Sequence, residues 1–389
     1  MPVINRFAEM QPEIAAWRRD FHAHPELLYE TNRTAARVAE LLASFGVDEV
    51  ATGIGRTGVV GVIKGRGEGG GRVIGLRADM DALPITEATG KPWASTNPGA
   101  MHACGHDGYT AMLLGAARYL AETRKFSGTA VVIFQPAEEG GAGGKAMIDD
   151  GLMERFGIEE VFGLHNFPGL EPGNFGIREG GIMAATDEFS IEIEGVGGHA
   201  AQAYKGVDPV LIASHMTVAL QSIVSRNVDP LQAAVLSVTT MHAGDAFNVI
   251  PRTAKLTGTV RSLTDGVRAL LEKRVREMVP AISGAFGGSA SVTWKRGYPV
   301  TVNAARQAAF AAGIAARVAG GEKVDTDLPP TMGGEDFSFM LQARPGAFIF
   351  LGQGGTAQLH QDSYDFNDDI IPVGCSYWAT LVETAMPLE

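Results

Sequence analysis

A layered α/β fold interrupted by a ferredoxin-like α+β unit is the class that this 389-residue sequence predicts. Three observations predict it. Strand-like and helix-like segments alternate through residues 1–185 and again over 299–389. Between 186 and 298 the order changes to strand, helix, strand, strand, helix, strand. The side chains best suited to chemistry fall in the first and last thirds, so the outer segments must close into one discontinuous domain with 186–298 inserted as a lid or dimerisation module. At about 150 residues per domain, two or three domains are expected.

Residues 12–45 place Ile14, Trp17 and Phe21, then Val38, Leu41, Leu42 and Phe45, at helical spacing, with Gly46 as a stop. Strands follow at Val59–Ile63 and Val73–Arg77, a helix runs from Gly105 through Leu120, and further strands are expected at Ala130–Phe134 and Val161–Leu164 around a short helix near Lys145. GEGGG at 67–71 and GGAGG at 140–144 mark turns. The inserted unit reads as DEFSIEIEG, the amphipathic DPVLIASHMTVALQSIV, AAVLSVTTM, AKLTGTVRS, a helix after Thr264 that Pro280 ends or kinks, and SASVTWK. An Ala-rich helix at 303–319, the strand AFIFLG and a helix from Pro372 complete the chain.

Composition narrows the function. Acidic residues (44) outnumber basic ones (32) with no Lys/Arg run, which argues against nucleic acid or an anionic membrane as partner. Two cysteines, Cys104 beside a glycine-rich turn and Cys375 in an apolar helical pattern, do not make a disulfide framework and fit a reducing cytoplasm. Met1 to Pro25 lacks the uninterrupted apolar core of a signal peptide. The longest uncharged helical stretch, Pro209 to Ser225, is broken by polar residues, so no membrane span is expected.

Five residues offer donors suited to a pair of borderline divalent ions: Cys104 and His106 in MHACGHD, Glu139 in FQPAEEG, His165 in GLHNFP and His360 in LHQDSYDFND, with Glu138 a spare carboxylate. An adjacent acid lets an activated water attack at neutral pH, so the set points to metal-dependent hydrolysis. Each motif alone also has a plain structural reading. Cys104 could be a buried filler with His106 a helix cap, and two acids before Gly140 could be a solvated turn. If the strand before them stays extended, Glu138 and Glu139 face opposite ways, one binding metal while the other reaches the water; spacing leaves open which. Asp79 and Asp81 follow the strand Val73–Arg77, and Asp81 is the candidate for holding the His106 imidazole in one tautomer. His199, framed by glycines in GVGGHAA, could donate to a developing oxyanion. Asn248 and Arg261 form a plausible clamp for a substrate carboxylate, because a guanidinium offers two matched donors.

Taken in order, RRDFHAHPEL, RADMDALP, MHACGHDG, FQPAEEG, LHNFP, GVGGHAA with GVDPV, FNVIPRTAKLTGTVR, MGGEDFSFM and LHQDSYDFND resemble the amidohydrolase branch of the co-catalytic dinuclear metallopeptidases. That branch includes hippurate hydrolases, bacterial N-acyl-amino-acid amidohydrolases and plant auxin-conjugate amidohydrolases. The resemblance spans nearly the whole chain. It implies a catalytic domain with a mixed sheet between helices and an inserted lid that forms a homodimer, or a homotetramer. It also implies Cys104, His106, Glu139, His165 and His360 as metal ligands and Glu138 as general base. His199 would be the oxyanion donor, in a partner's site if the lid reaches across, and Asn248 and Arg261 would contact the substrate carboxylate. Tyr109 stands where relatives commonly carry His, and Gln202, Ala203 and Tyr204 replace a Met-Pro-His-like segment, departures that bear on the substrate pocket.

The expected activity is hydrolysis of the amide bond of N-acyl amino acids with two divalent ions, zinc favoured by the thiolate, with manganese, cobalt or nickel as alternatives. A dipeptidase or carboxypeptidase using the same ions is the nearest rival. A silent acyl-amino-acid or peptide-binding protein is the rival from another class.

Overall fold

The structure is a computed structural model and describes residues 3–67, 71–355 and 357–388, so the centre of the GEGGG turn lies outside the described residues. Two compact units are present. The first comprises Met1–Gly180, Val302–Pro329 and Asp336–Glu389; the second comprises Gly181–Thr301 with the short return segment Pro330–Glu335. These bounds are slightly wider than 186–298, and nothing in the hydrophobic pattern marks the return segment.

The first unit is built on a mixed sheet of eight strands among the described residues. Their order is Glu49–Ile54, Gly58–Lys64, Thr129–Gln135, Val73–Asp79, Glu160–Phe167, Gly346–Gly352, Phe175–Gly176 and Val324–Asp325. Its four central strands read as near-continuous apolar runs such as TAVVIFQ and GAFIFLG, the pattern of strands covered on both faces. Those four are mutually parallel. Their carboxyl ends therefore share one edge of the sheet, the edge at which open α/β sheets gather ligands. Helix His106–Thr123 packs against helices Asn5–Ala23 and Ile371–Ala385. The contact is close enough at Gly115 that a Cβ would lie 2.6 Å from Ile14 Cδ1 and 2.9 Å from Cys375 Sγ. Met112, Leu113, Leu120, Ile14, Phe21 and Trp378 fill the core between them.

The second unit has an antiparallel sheet in the order Ala234–Ala243, Thr253–Ser262, Ala185–Glu194, Ser289–Arg296. With helices Pro209–Asn227 and Asp265–Ala285 connecting its strands, this is the ferredoxin-like topology. Asp208 caps the first helix by accepting from Val210 N at 2.8 Å, with Pro209 pre-set at the first helical position. Ile212, Met216, Leu220, Leu271 and Val275 cover one sheet face through Phe189, Ile191, Leu256 and Val260. Thr257, Thr259 and Arg261 alternate onto the other face. The second helix does not end at Pro280 but runs on to Ala285. Val279 and Ser283 are buried there, and that packing outweighs the one backbone bond the ring removes.

No helix among the described residues is long and apolar enough to cross a membrane.

Candidate metal centre

Each candidate ligand of the first unit hangs from the carboxyl edge of the parallel strands or from a loop beside it. Cys104 and His106 flank Gly105, whose φ of +93° turns the chain so that a helix begins at His106. A Cβ there would sit 2.7 Å from the Tyr364 hydroxyl and 2.9 Å from Asn166 Oδ1. Both the left-handed backbone and the close approach require glycine. Gly105→Ala is expected to destabilise the protein by about 1–3 kcal/mol through strain at this turn, read as a drop in the urea midpoint; an unchanged midpoint would show that the turn relaxes freely.

Glu138 and Glu139 do not continue the strand. Ala137 adopts φ +54° and throws both acids into a turn. Asp81 pins it: its two carboxylate oxygens accept the backbone N–H of Glu138 at 2.9 Å and of Glu139 at 3.1 Å. The same carboxylate stands 3.5 Å from His106 Nδ1, an ion-pair distance longer than a good hydrogen bond. His165 sits within strand Glu160–Phe167, opposite Phe350, and is buried rather than at the rim. Its Nδ1 lies 2.6 Å from the Asn166 carbonyl, which fixes the Nδ1–H tautomer and leaves Nε2, facing Cys104 Sγ and the Tyr109 hydroxyl, as the acceptor atom suited to a ligand role. His360 is the partly exposed arm, held at φ +64° and tethered by its N–H to the Ala103 carbonyl at 2.8 Å.

These arms converge. The donor atoms of Cys104, His106 and His165 lie within 4.8 Å of one another; so do those of Cys104, Glu139 and His360, and those of Asp79, His106 and Glu138. Cys104 belongs to the first two groups and His106 to the first and third. Cys104 Sγ is 3.5 Å from His165 Nε2. A tetrahedral ion with ordinary zinc–sulfur and zinc–nitrogen bonds would separate those two donors by about 3.6 Å. His360 Nε2 stands 3.4 Å from Glu139 Oε1, and His106 Nε2 stands 3.8 Å from the same oxygen.

The electrostatics fit a bound cation. Among the described residues, neither nitrogen of buried His106 nor Glu139 Oε1 has a hydrogen-bond partner, although such buried groups normally have one. Burial opposes charge on His106, but Asp79, Asp81 and Glu139 outweigh it and lift the ring to about 10. His165 goes the other way, pushed down to about 4 by burial. Burial and the nearby Glu139, Glu138 and Asp79 push the Cys104 thiol well up. Surplus buried negative charge, orphaned donors and a thiol at tetrahedral bite distance together form a site that a divalent ion would satisfy.

Three partners were left without a role by the sequence pattern. Asp79, last residue of its strand, places Oδ2 3.6 Å from His106 Nε2 and 2.9 Å from Arg77 Nη1. Asp336, inside MGGEDFSFM, accepts from Arg77 Nη2 at 2.9 Å, Gln135 Nε2 at 2.7 Å and Gly144 N at 2.8 Å, and so ties the strand ends together. Tyr109 lies against His165. The strand-end position of Asp79 and the place of Tyr109 three residues after His106 were the signals visible in the sequence.

The remaining candidates belong to the second unit. His199 is exposed and pairs with Val249, and Asn248 is the residue before that partner. Arg261 lies on the open sheet face, half-buried, bonded through Nη1 to Thr259 Oγ1 and to the Val260 carbonyl at 3.0 Å. Arg261 pairs with Thr186, whereas Thr253, at the strand end nearer Asn248, pairs with Glu194. Eight residues of extended strand separate those positions, roughly 27 Å.

Comparison with known proteins places the chain in a family. Residues 75–384 match the family described as peptidase family M20/M25/M40. Hippurate hydrolase of Campylobacter jejuni is 42% identical over 381 residues, covering 98% of each chain. Thermostable carboxypeptidase 1 of Saccharolobus solfataricus is 39% identical over 387 residues, covering 97% of this chain and 96% of that one. A Bacillus subtilis crystal structure described as a dinuclear metal binding peptidase from the M20 family superposes with a TM-score of 0.86 at 33% identity, over 97% of this chain and 99% of that one. Identity of this level along almost the entire length, on a shared two-part fold, establishes that the chain is a hydrolase belonging to peptidase family M20/M25/M40.

Proposed function

We propose that the chain hydrolyses the amide bond of N-acyl amino acids, hippurate-like or N-acetylated, using two divalent ions held by Cys104, His106, Glu139, His165 and His360. The observation that carries this reading is the convergence of those five donors beside one further buried carboxylate, Glu138. Zinc suits the thiolate, and manganese, cobalt or nickel would also suit the imidazoles and carboxylate. When bound, the ions would supply Lewis acidity that makes water a better nucleophile and polarises the scissile carbonyl.

The chain's own residues do the rest. Glu138 takes the proton of the attacking water and returns it to the departing amine, one carboxylate acting as base and then acid. Asp81 holds Glu138 and Glu139 by their backbones, which keeps base and ligand in a fixed relation. His199 donates to the oxyanion, and Asn248 with Arg261 receives the substrate carboxylate. The roughly 27 Å of extended strand between Arg261 and Thr253, the strand end nearer His199 and Asn248 in sequence, supports a homodimer, or a tetramer of such dimers, in which one copy supplies Arg261 and another supplies His199 and Asn248 to the same substrate. Two buried free thiols, one of them a ligand, favour a reducing cytoplasm.

The test is a panel of hippurate, N-acetyl amino acids and dipeptides with chelated and metal-reloaded protein. Hydrolysis of the N-acyl substrates by reloaded protein alone is expected; turnover confined to dipeptides would replace this reading with the peptidase one that the carboxypeptidase relative favours. Arg261→Ala is expected to raise KM about tenfold or more for substrates with a free carboxylate, the loss of a charge-assisted pair, and to leave amidated analogues untouched. Equal losses on both would remove Arg261 from that role.

A further inference from the structure

Beside Cys104 and His165 lies a buried polar network that the mechanism has not used. The Tyr109 hydroxyl bonds to the Cys104 carbonyl, lies 2.6 Å from Asn166 Oδ1 and is 3.0 Å from His165 Nε2. Asn166 in turn donates through Nδ2 to Gln353 Oε1 at 2.6 Å and to the Tyr364 hydroxyl at 2.5 Å. Its backbone carbonyl is the group that faces His165 Nδ1. All four network members are buried, and the Gly105 turn packs directly on Tyr364 and Asn166.

One phenol therefore touches both arms of the thiolate–imidazole pair, at the backbone carbonyl of one and at the Nε2 of the other. The two arms come from segments 61 residues apart in sequence. Without a bridge, the Cys104 loop and the His165 strand could drift independently. With an ion on Nε2, the hydroxyl proton turns to Asn166 or to the Cys104 carbonyl, so the network is satisfied whether or not His165 coordinates.

We infer that Tyr109 is a positioning residue that holds Cys104 and His165 at the bite of one divalent ion, an inference that rests on the metal-centre reading above. Removing its hydroxyl leaves every ligand in place but unlocks their spacing, and loss of such outer partners typically weakens metal binding about 10- to 100-fold.

The experiment is titration of metal-stripped protein with Co²⁺, following the thiolate-to-cobalt charge-transfer absorption. Wild type is expected to bind with a thiolate band; Tyr109→Phe is expected to bind about 10- to 100-fold more weakly, with a shifted or weakened band even at saturation, while circular dichroism shows a native fold. A hydroxyl that only stabilises the fold would lower the melting temperature yet leave affinity and band unmoved, and that result overturns the proposal while sparing the metal centre. Failure of wild type to bind Co²⁺ overturns both. If Tyr109→Phe does not fold, Tyr364→Phe takes its place, since it loosens Asn166 without touching Cys104 or His165. A several-fold loss of Co²⁺ affinity in Tyr364→Phe supports the network, and unchanged affinity overturns it.

Discussion

Glu138→Gln is expected to lower kcat by about 10² to 10⁴ while the purified protein retains wild-type metal content. The substitution keeps shape and hydrogen-bonding capacity but removes the proton acceptor. Glu138 is almost fully buried, and its backbone is fixed by Ala137 in the left-handed region on one side and by Asp81 on the other. An ordinary surface acid in a glycine-rich turn would have neither constraint. The competing possibility is that Glu138 is a ligand, since its carboxylate falls in one group with Asp79 and His106. Elemental analysis separates the two roles: a base leaves the metal in place when it is lost, whereas a ligand takes metal with it. Depleted metal in Glu138→Gln would falsify the assignment, and full turnover would remove the residue from the chemistry altogether.

The parts of this site legible in the sequence were those that donate side-chain atoms at strand ends. His165 and Glu139 each end or follow an apolar run, and periodicity places such runs well, while Cys104 stands just before the helix His106–Thr123. What was not legible was conformation and partnership. Glu138 and Glu139 looked like an extended pair, but Ala137 carries a positive φ that no composition rule assigns to alanine. Asp79 and Asp81 were visible as a pair, yet their separate jobs depend on which residues arrive from other strands: Arg77 and His106 at the first, the backbone of Glu138 and Glu139 at the second. Tyr109 reaches His165 across 56 residues and Asp336 reaches Arg77 across 259, and a single sequence holds no trace of those pairings. In the second unit the order of elements was readable because alternation and helical spacing are local. The short strand Gly198–His199 was not, because its two exposed residues carry no apolar pattern.

Asp107→Ala is expected to cost about 3–5 kcal/mol of stability, among the largest effects of any single substitution outside the ligands. Asp107 follows His106 directly and is fully buried, with Oδ2 at 2.8 Å from His22 Nδ1 and 3.5 Å from Arg18 Nη1. Its removal takes the nearest anion from buried His22 and one of the carboxylates facing buried Arg18, leaving Glu87 at 3.3 Å from the first and Asp368 at 2.8 Å from the second. By contrast the exposed Lys145–Asp149 pair, at 2.6 Å, is worth about 0–1 kcal/mol despite its shorter distance, because water screens it. The buried pair also predicts a pH dependence. Burial and Arg18 oppose charge on His22, but Asp107 and Glu87 outweigh them and raise the ring from 6.5 to about 9, while the neighbouring His102, pushed down to about 3 by burial, stays neutral across that range. A group raised on folding contributes fully below its unfolded value of 6.5, and that contribution disappears as pH climbs through about 9. Asp107 is held below its ordinary 3.8: burial alone would raise it, and the cationic His22 with Arg18 overcomes that, so its share is lost only as pH falls below the usual carboxylate range. Urea midpoints of wild type and His22→Gln at fixed metal should therefore differ most near pH 6 and converge toward pH 9. A constant gap across that window would mean that His22 is neutral in the folded protein, and the clamp between helix Asn5–Ala23 and the His106 turn would then be a neutral hydrogen bond worth about 1 kcal/mol instead of an ion pair.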